Sequence, residues 1–176
     1  ELFFPFKRYH IAKVWRGEKP QAGRYREFMQ CDFDTVGADC AYADFEILHV
    51  MYKALRSLGV EAFRIHLSHR GIFNRFLEKL QVYDRSEDIL RIVDKLAKIG
   101  KGEVIKQLTE LTGAEKAEKI VEYGNGLPAG TDFKTILDHV GTLAGGAASD
   151  TGRLQDVYQL LCDAGIADGF VLDPSI

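Results

Sequence analysis

The feature that most constrains this chain is a change of hydrophobic period near residue 70. Before it, stretches 8–16, 26–36 and 61–67 are rich in β-branched and aromatic residues and largely alternate, as half-buried strands do. After it, apolar residues recur every three or four positions over 71–81, 86–99, 102–112, 114–123, 131–141 and 150–164, which predicts successive helices. No strand pattern falls between 71 and 149. Phe170-Val171-Leu172 then restores strand character, with 170–176 expected to close the chain. The fold class is therefore α+β: a core segment over 1–74, an all-helical insertion over 75–147, and a return to the core over 148–176.

Within the first segment, 8–16 and 26–36 flank a polar stretch punctuated by Gly17, Pro20 and Gly23, which predicts an antiparallel hairpin with a long tip. A helix over 42–58 follows, with Phe45, Leu48, Tyr52 and Leu55 on one face and Gly59 as its C-terminal cap. Together with strand 61–67 this predicts one sheet with helices on one face. Ser86 and Thr131, each followed by acids, read as helix N-caps.

Composition narrows the class further. With 46% hydrophobic and 28% charged residues, the chain is neither disordered nor collagen-like. Three separated cysteines do not make a disulfide framework and point to a reducing, cytosolic setting. No apolar run approaches the roughly 18 residues that span a bilayer. The opening Glu1-Leu2-Phe3-Phe4-Pro5 resembles no targeting peptide and reads as the interior of a longer protein. The net charge of −3 is uneven: residues 1–30 carry seven Lys or Arg against three acids. That basic opening fits either a local anion site or a solvated strand.

The hairpin concentrates the chemistry. Arg16 sits at the rim of the tip, Glu18 lies two residues on, and Arg24 and Arg26 return on the far side. Such guanidinium forks suit phosphate oxygens. Alternation along the second strand puts Arg26, Phe28, Gln30, Asp32 and Asp34 on one face. A ring, an amide and two acids make a poor core and a good ligand floor: Phe28 for a base, Gln30 and Asp34 for an ammonium group. The opposite face, Glu27, Met29, Cys31, Phe33 and Thr35, reads as core material, with Cys31 an inert small hydrophobe.

The stretch Val14-Trp15-Arg16-Gly17-Glu18-Lys19-Pro20-Gln21-Ala22-Gly23-Arg24-Tyr25-Arg26-Glu27-Phe28-Met29-Gln30-Cys31-Asp32-Phe33-Asp34 resembles motif 2 of class II aminoacyl-tRNA synthetases in its histidyl form. The class-wide pattern, Arg-x-Glu, a loop and Arg-x-Phe, is loose. The Pro-Gln-x-Gly-Arg stretch and the Gln-Cys-Asp-x-Asp strand are specific to the histidyl branch. The likeness extends through Asp44-Phe45-Glu46, weakens across the helices and returns near Phe170.

The resemblance implies a two-step reaction: histidine is activated by ATP to histidyl-adenylate, then transferred to tRNA(His). Arg16 would hold the α-phosphate and the histidine carboxylate. Glu18, Arg24 and Phe28 would serve ATP, with Phe28 stacked on adenine. Gln30 and Asp34 would bind histidine, although many bacterial members carry glutamate where Asp34 stands. Gln21 and Arg26 would meet the tRNA acceptor end. Mg2+ would arrive with ATP, no protein metal site being expected, and the whole enzyme would be a cytoplasmic homodimer. Motifs 1 and 3 and the Arg-Gly-Leu-Asp-Tyr-Tyr segment are expected outside these residues, which would leave the piece inactive alone.

Other features carry less. His10, His49, His66, His69 and His139 show no ligand spacing. Gly145-Gly146 reads as a linker, and Lys95, Lys98 and Lys101 as either a small phosphate stripe or a solvated face. The resemblance implies that the helical insertion lies over the tRNA acceptor arm, and its nearly neutral charge makes the expected role there weak and orienting. The rival reading is a non-catalytic regulatory subunit of ATP phosphoribosyltransferase that senses histidine.

Overall fold

The computed structural model describes residues 3–125, 127–128 and 130–175. Glu1, Leu2, Gly126 and Ile176, on which parts of the sequence reading fall, lie outside them. Strands β1 (Phe6–Trp15) and β2 (Glu27–Val36) pair antiparallel over their whole length, from Phe6↔Val36 to Trp15↔Glu27. Gly37, at φ 80°, ends the second strand. Helix α1 (Ala41–Ser57) follows and closes on Gly59, also left-handed, whose N–H reaches the Arg56 carbonyl.

Strand β3 (Ile65–Leu67) pairs in parallel with β4 (Phe170–Leu172). The ribbon and this pair are separate two-stranded sheets, not one sheet. The predicted strand 61–67 shortens to three residues because its partner is only three long. That partner stops early for a local reason. Asp173 turns the chain by accepting the Ser175 N–H at 3.0 Å, and Pro174 has no N–H to continue a ladder.

Between these strands run α2 (Arg70–Lys79), α3 (Ser86–Val93), α4 (Leu96–Ile99), α5 (Lys101–Thr112), α6 (Ala114–Asn125), α7 (Phe133–Leu143) and α8 (Ser149–Asp163). Three local expectations change. The single helix at 86–99 is two, divided at Asp94–Lys95, where no Gly or Pro marks the break. Ser86 is the first residue of α3 and caps nothing with its side chain. Asp132, not Thr131, caps α7, accepting the Thr135 N–H at 3.0 Å, while the Thr131 hydroxyl donates to the Pro128 carbonyl.

Burial divides into two cores. The larger holds Phe73, Phe76, Leu77, Ile89, Val104, Leu108, Ile120 and Val140 from α2 to α7, with Leu154 and Leu172 at its edge. The smaller joins Phe45 of α1, Val157 and Leu161 of α8, and Phe170 of β4. The sequence boundary at 74/75 falls inside α2, whose Ile72 and Phe73 already belong to the larger core. Two arginines fix the junctions. Arg153 of α8 donates to Asp44 at 2.6 Å and Asp39 at 3.0 Å at the start of α1. Arg75 of α2 donates twice to Asp150 and also to the carbonyls of Ala144 and Gly146.

Candidate active site

The ribbon register decides which side chains share a face. Antiparallel pairing sets Arg8 across from Asp34, His10 from Asp32, Ala12 from Gln30 and Val14 from Phe28, and cross-strand partners lie on the same side. Phe28, Gln30, Asp32 and Asp34 therefore form one row, as alternation requires. Arg16 bends over that row: its guanidinium carbon stands 5.1 Å from the Phe28 ring centroid and its Nη2 donates to Gln30 Oε1 at 3.1 Å. Gln30 Nε2 donates on to Asp32 Oδ2 at 3.3 Å. Arg8 Nη2 lies 2.7 Å from Asp34 Oδ2 and 3.8 Å from Asp32 Oδ2, with His10 Nδ1 3.8 Å from Asp32 Oδ1.

The tip is built from backbone bonds. Arg16 N–H donates to the Arg26 carbonyl at 2.9 Å, and Gln21 and Arg24 exchange two further bonds around Gly23 at φ 76°. A positive φ at that third turn position is what glycine supplies. The Arg24 guanidinium stands 3.2 Å from the Glu18 carboxylate, and Arg26 Nε donates to the Glu18 carbonyl at 3.1 Å. An open cleft of about 300 Å³ results, lined by Arg16, Glu18, Gly23, Arg24, Tyr25 and Phe28. Two cations, Arg16 and Arg24, and the rings of Tyr25 and Phe28 border it, with Arg24 paired to Glu18. That set suits a flat base joined to a phosphate.

All of the sequence candidates except Gln21 enter this network through their side chains. Gln21 contributes its backbone bridge, and Arg26 spends its Nε within the loop. Two members of the row were not singled out from sequence, Arg8 and His10, and they follow from the cross-strand register; Asp32, placed on this face by alternation, had no role assigned.

The predicted core face of β2 is covered over only half its length. Met29 is 61% exposed and Cys31 is exposed, as are Tyr9, Ile11 and Trp15 on the same face, whereas Phe33 and Thr35 are half-buried, as is the row with Phe28, Gln30, Asp32 and Asp34. The reason is coverage. Helix α1 reaches the ribbon only at its far end, where Lys7 pairs with Glu46, so the apolar face is open toward Met29. The polar row is shielded by its own arginines. On the open face Lys13 and the Trp15 indole hold the Glu27 carboxyl below the usual carboxylate range.

A larger cleft, about 720 Å³, lies between α6, α7 and the β3–β4 pair. Its Asp173 is occupied: the carboxylate takes the Ser175 hydroxyl and faces His66 Nδ1 at 2.8 Å. Burial pushes that carboxyl up, but the Ser175 and His66 contacts outweigh it and leave it below its ordinary value. That acid is thus engaged within the protein, and Arg64 also lines the cleft. Among the described residues, no three His, Cys, Asp or Glu side chains stand together as metal ligands. None of the described helices is long and apolar enough to cross a membrane.

A family model described as histidyl-tRNA synthetase matches residues 5–170. A histidine–tRNA ligase of Treponema denticola is 58% identical over 100% of this chain and 40% of its own length. Among solved structures, a histidyl-tRNA synthetase from Nostoc sp. PCC 7120 superposes with a TM-score of 0.84 at 26% identity, covering 100% of this chain and 41% of that one. A Bacillus halodurans protein described as an ATP phosphoribosyltransferase regulatory subunit/histidyl-tRNA synthetase shares the fold at TM-score 0.76 and 19% identity, covering 99% of this chain and 44% of that one. The chain spans about 40% of the length of the curated relatives it matches.

Proposed function

The chain belongs to the histidyl-tRNA synthetase family, and from that premise we propose that it supplies one wall of the enzyme's active site together with a helical lobe beside it. The observation that carries the reading is the single row formed by Arg16, Phe28, Gln30 and Asp34, with Arg16 leaning over the aromatic ring.

The proposed reaction runs along that row. A histidine carboxylate oxygen attacks the α-phosphorus of ATP, the bond to pyrophosphate breaks, and histidyl-adenylate forms. Arg16 reaches both reacting anions and stabilises the charge that builds between them. Phe28 stacks on adenine and Asp34, with Gln30, receives the histidine ammonium. Glu18 and Arg24 border the nucleotide. The terminal ribose hydroxyl of tRNA(His) then attacks the activated carbonyl, losing its proton and displacing AMP. Gln21 and Arg26 lie on the tip where the acceptor end would arrive. Positioning and fixed charge supply the catalysis. Mg2+ would be held by the phosphates of ATP, since the residues of the row are engaged with one another.

The three-part division is kept in this reading, with the first boundary drawn at the start of α2, where the larger core begins. The lobe is read as a weak guide for tRNA, and the whole enzyme as a cytoplasmic homodimer. Arg16 with its intact aromatic and acidic neighbours favours a ligase over a histidine-sensing regulatory subunit.

The test is ATP–pyrophosphate exchange. The full-length enzyme is expected to catalyse it, Arg16→Gln to reduce it by roughly 100-fold or more, and the 176 residues alone to show none. Robust exchange by Arg16→Gln would remove the proposed role.

A further inference from the structure

We propose that Arg75 is a positioning residue for the tRNA step: it latches the glycine linker that leads out of the helical lobe to the helix that leads in, and so fixes the angle at which the lobe meets the core. This deepens the proposed function and rests on the reading of the lobe as a guide for tRNA.

The chain enters the lobe through α2 and leaves it between the end of α7 and the start of α8. Arg75 of α2 ties these two crossings together. Its Nε and Nη2 donate to the two oxygens of Asp150 at 2.9 and 2.8 Å, and its Nη1 donates to the carbonyls of Ala144 and Gly146 at 3.0 and 3.2 Å. Lys79, one turn further along α2, donates to the Leu143 carbonyl at 3.0 Å. One helix thus collects the last carbonyls of α7, the linker and the first turn of α8. The linker backbone sets no angle by itself: Gly145 and Gly146 stand at φ 100° and 103°, a region glycine enters without steric cost. The apolar contact across the seam, Phe133 stacked on Tyr158 at 4.3 Å, draws α7 and α8 together, but burial is non-directional. A planar guanidinium fork is directional. The Arg75 side chain is 26% exposed and that of Asp150 12%, so water competes weakly for these bonds. The angle carries through to the ribbon, because α8 also bears Arg153, which holds Asp44 of α1, and Glu46 of α1 pairs with Lys7 of β1.

The experiment uses the full-length enzyme and compares wild type with Arg75→Lys and with the double variant Arg75→Gln/Asp150→Asn, which leaves no carboxylate unpaired at the seam. Hydrogen exchange reads the latch, charging of tRNA(His) reads its use, and ATP–pyrophosphate exchange reads the ribbon. The amides of Gly145, Gly146, Ala148 and Gly152 are all hydrogen-bonded. In the double variant they are expected to exchange at least about tenfold faster, as a local opening of the linker gives. The KM for tRNA(His) should rise roughly fivefold, the low end of coupling between distant sites, with pyrophosphate exchange within about twofold of wild type. Arg75→Lys keeps the charge beside Asp150 but not the fork to the two carbonyls, and should fall between. Amides as protected in the double variant as in wild type overturn the latch. Faster amide exchange with unchanged charging overturns the reading of the lobe as a guide, and this inference with it. Charging and pyrophosphate exchange lost in parallel would leave Arg75 a role in stability alone, and would overturn its positioning role.

Discussion

The ribbon and the helical lobe are stabilised in different ways. The ribbon pairs residue for residue from Phe6↔Val36 to Trp15↔Glu27, yet none of its strand residues is buried. The lobe has no strand among its described residues, and it encloses Leu77, Ile89, Val104 and Leu108 completely. One region is held by a backbone ladder and cross-strand contacts, the other by apolar area removed from water. Hydrogen bonds exchanged with water contribute about 1 kcal/mol each, whereas a fully enclosed Leu is worth several. The difference teaches where tolerance lies. The ribbon can devote a whole face to polar recognition because its side chains carry little of the stability.

Leu108→Ala tests the lobe side hardest. It opens a cavity in a site with no exposure and is expected to cost about 3 kcal/mol in urea unfolding. The chain has one tryptophan, Trp15, and it lies on the ribbon. Helical circular dichroism should therefore report the loss, while the Trp15 emission transition moves less. Equal shifts in both signals would mean that ribbon and lobe unfold as one unit and would break the comparison.

Arg75→Met probes the seam between lobe and core, with a smaller expected cost of about 2 kcal/mol, since the pair with Asp150 is only partly shielded from water. The effect has a pH signature. Burial pushes the Asp150 carboxyl up, but the Arg75 bonds and the Thr151 N–H outweigh it and hold it below its ordinary value. A depressed carboxyl adds stability that is present above about pH 4, its unfolded value, and is lost as pH falls through the lower folded one. The gap between wild type and Arg75→Met should thus be widest at neutral pH and narrow in acid. A gap that widened in acid would place the loss elsewhere.

How much of this was legible beforehand follows from the same contrast. Helical periodicity is local, so the lobe showed itself through repeats such as Phe73, Phe76, Leu77 and Leu80, and only the break at Asp94–Lys95 was silent. Motif 2 is local too, and it marked Arg16, Phe28, Gln30 and Asp34. Arg8 and His10 were not legible, because their partners are set by a register that the tip conceals. Between the Arg16–Arg26 pair and the Gln21–Arg24 bridge lie four residues on one side and one on the other. Counting back from Gly23 as a symmetric turn gives the wrong partner for every residue of β1. The burial of β2 was misread for a related reason. Alternation fixes which residues share a face, but coverage is a property of what packs there, and α1 reaches only one end.

Ile11→Thr tests the ribbon side and carries the smallest expected effect. Ile11 faces Cys31 on the open apolar face and is 61% exposed, so little area leaves water when the chain folds. Threonine keeps the β-branch that favours an extended backbone, and the ladder does not involve the side chain. The change should therefore cost less than about 0.5 kcal/mol by urea unfolding followed at Trp15, two strand positions from Ile11's neighbour Lys13. A loss near 2 kcal/mol would require this face to be covered in solution. Repeating the measurement at several protein concentrations would then identify the cover: if a second copy of the chain supplies it, the midpoint must rise with concentration, because association stabilises only the folded form. A small, concentration-independent loss leaves the backbone ladder as what holds the ribbon together.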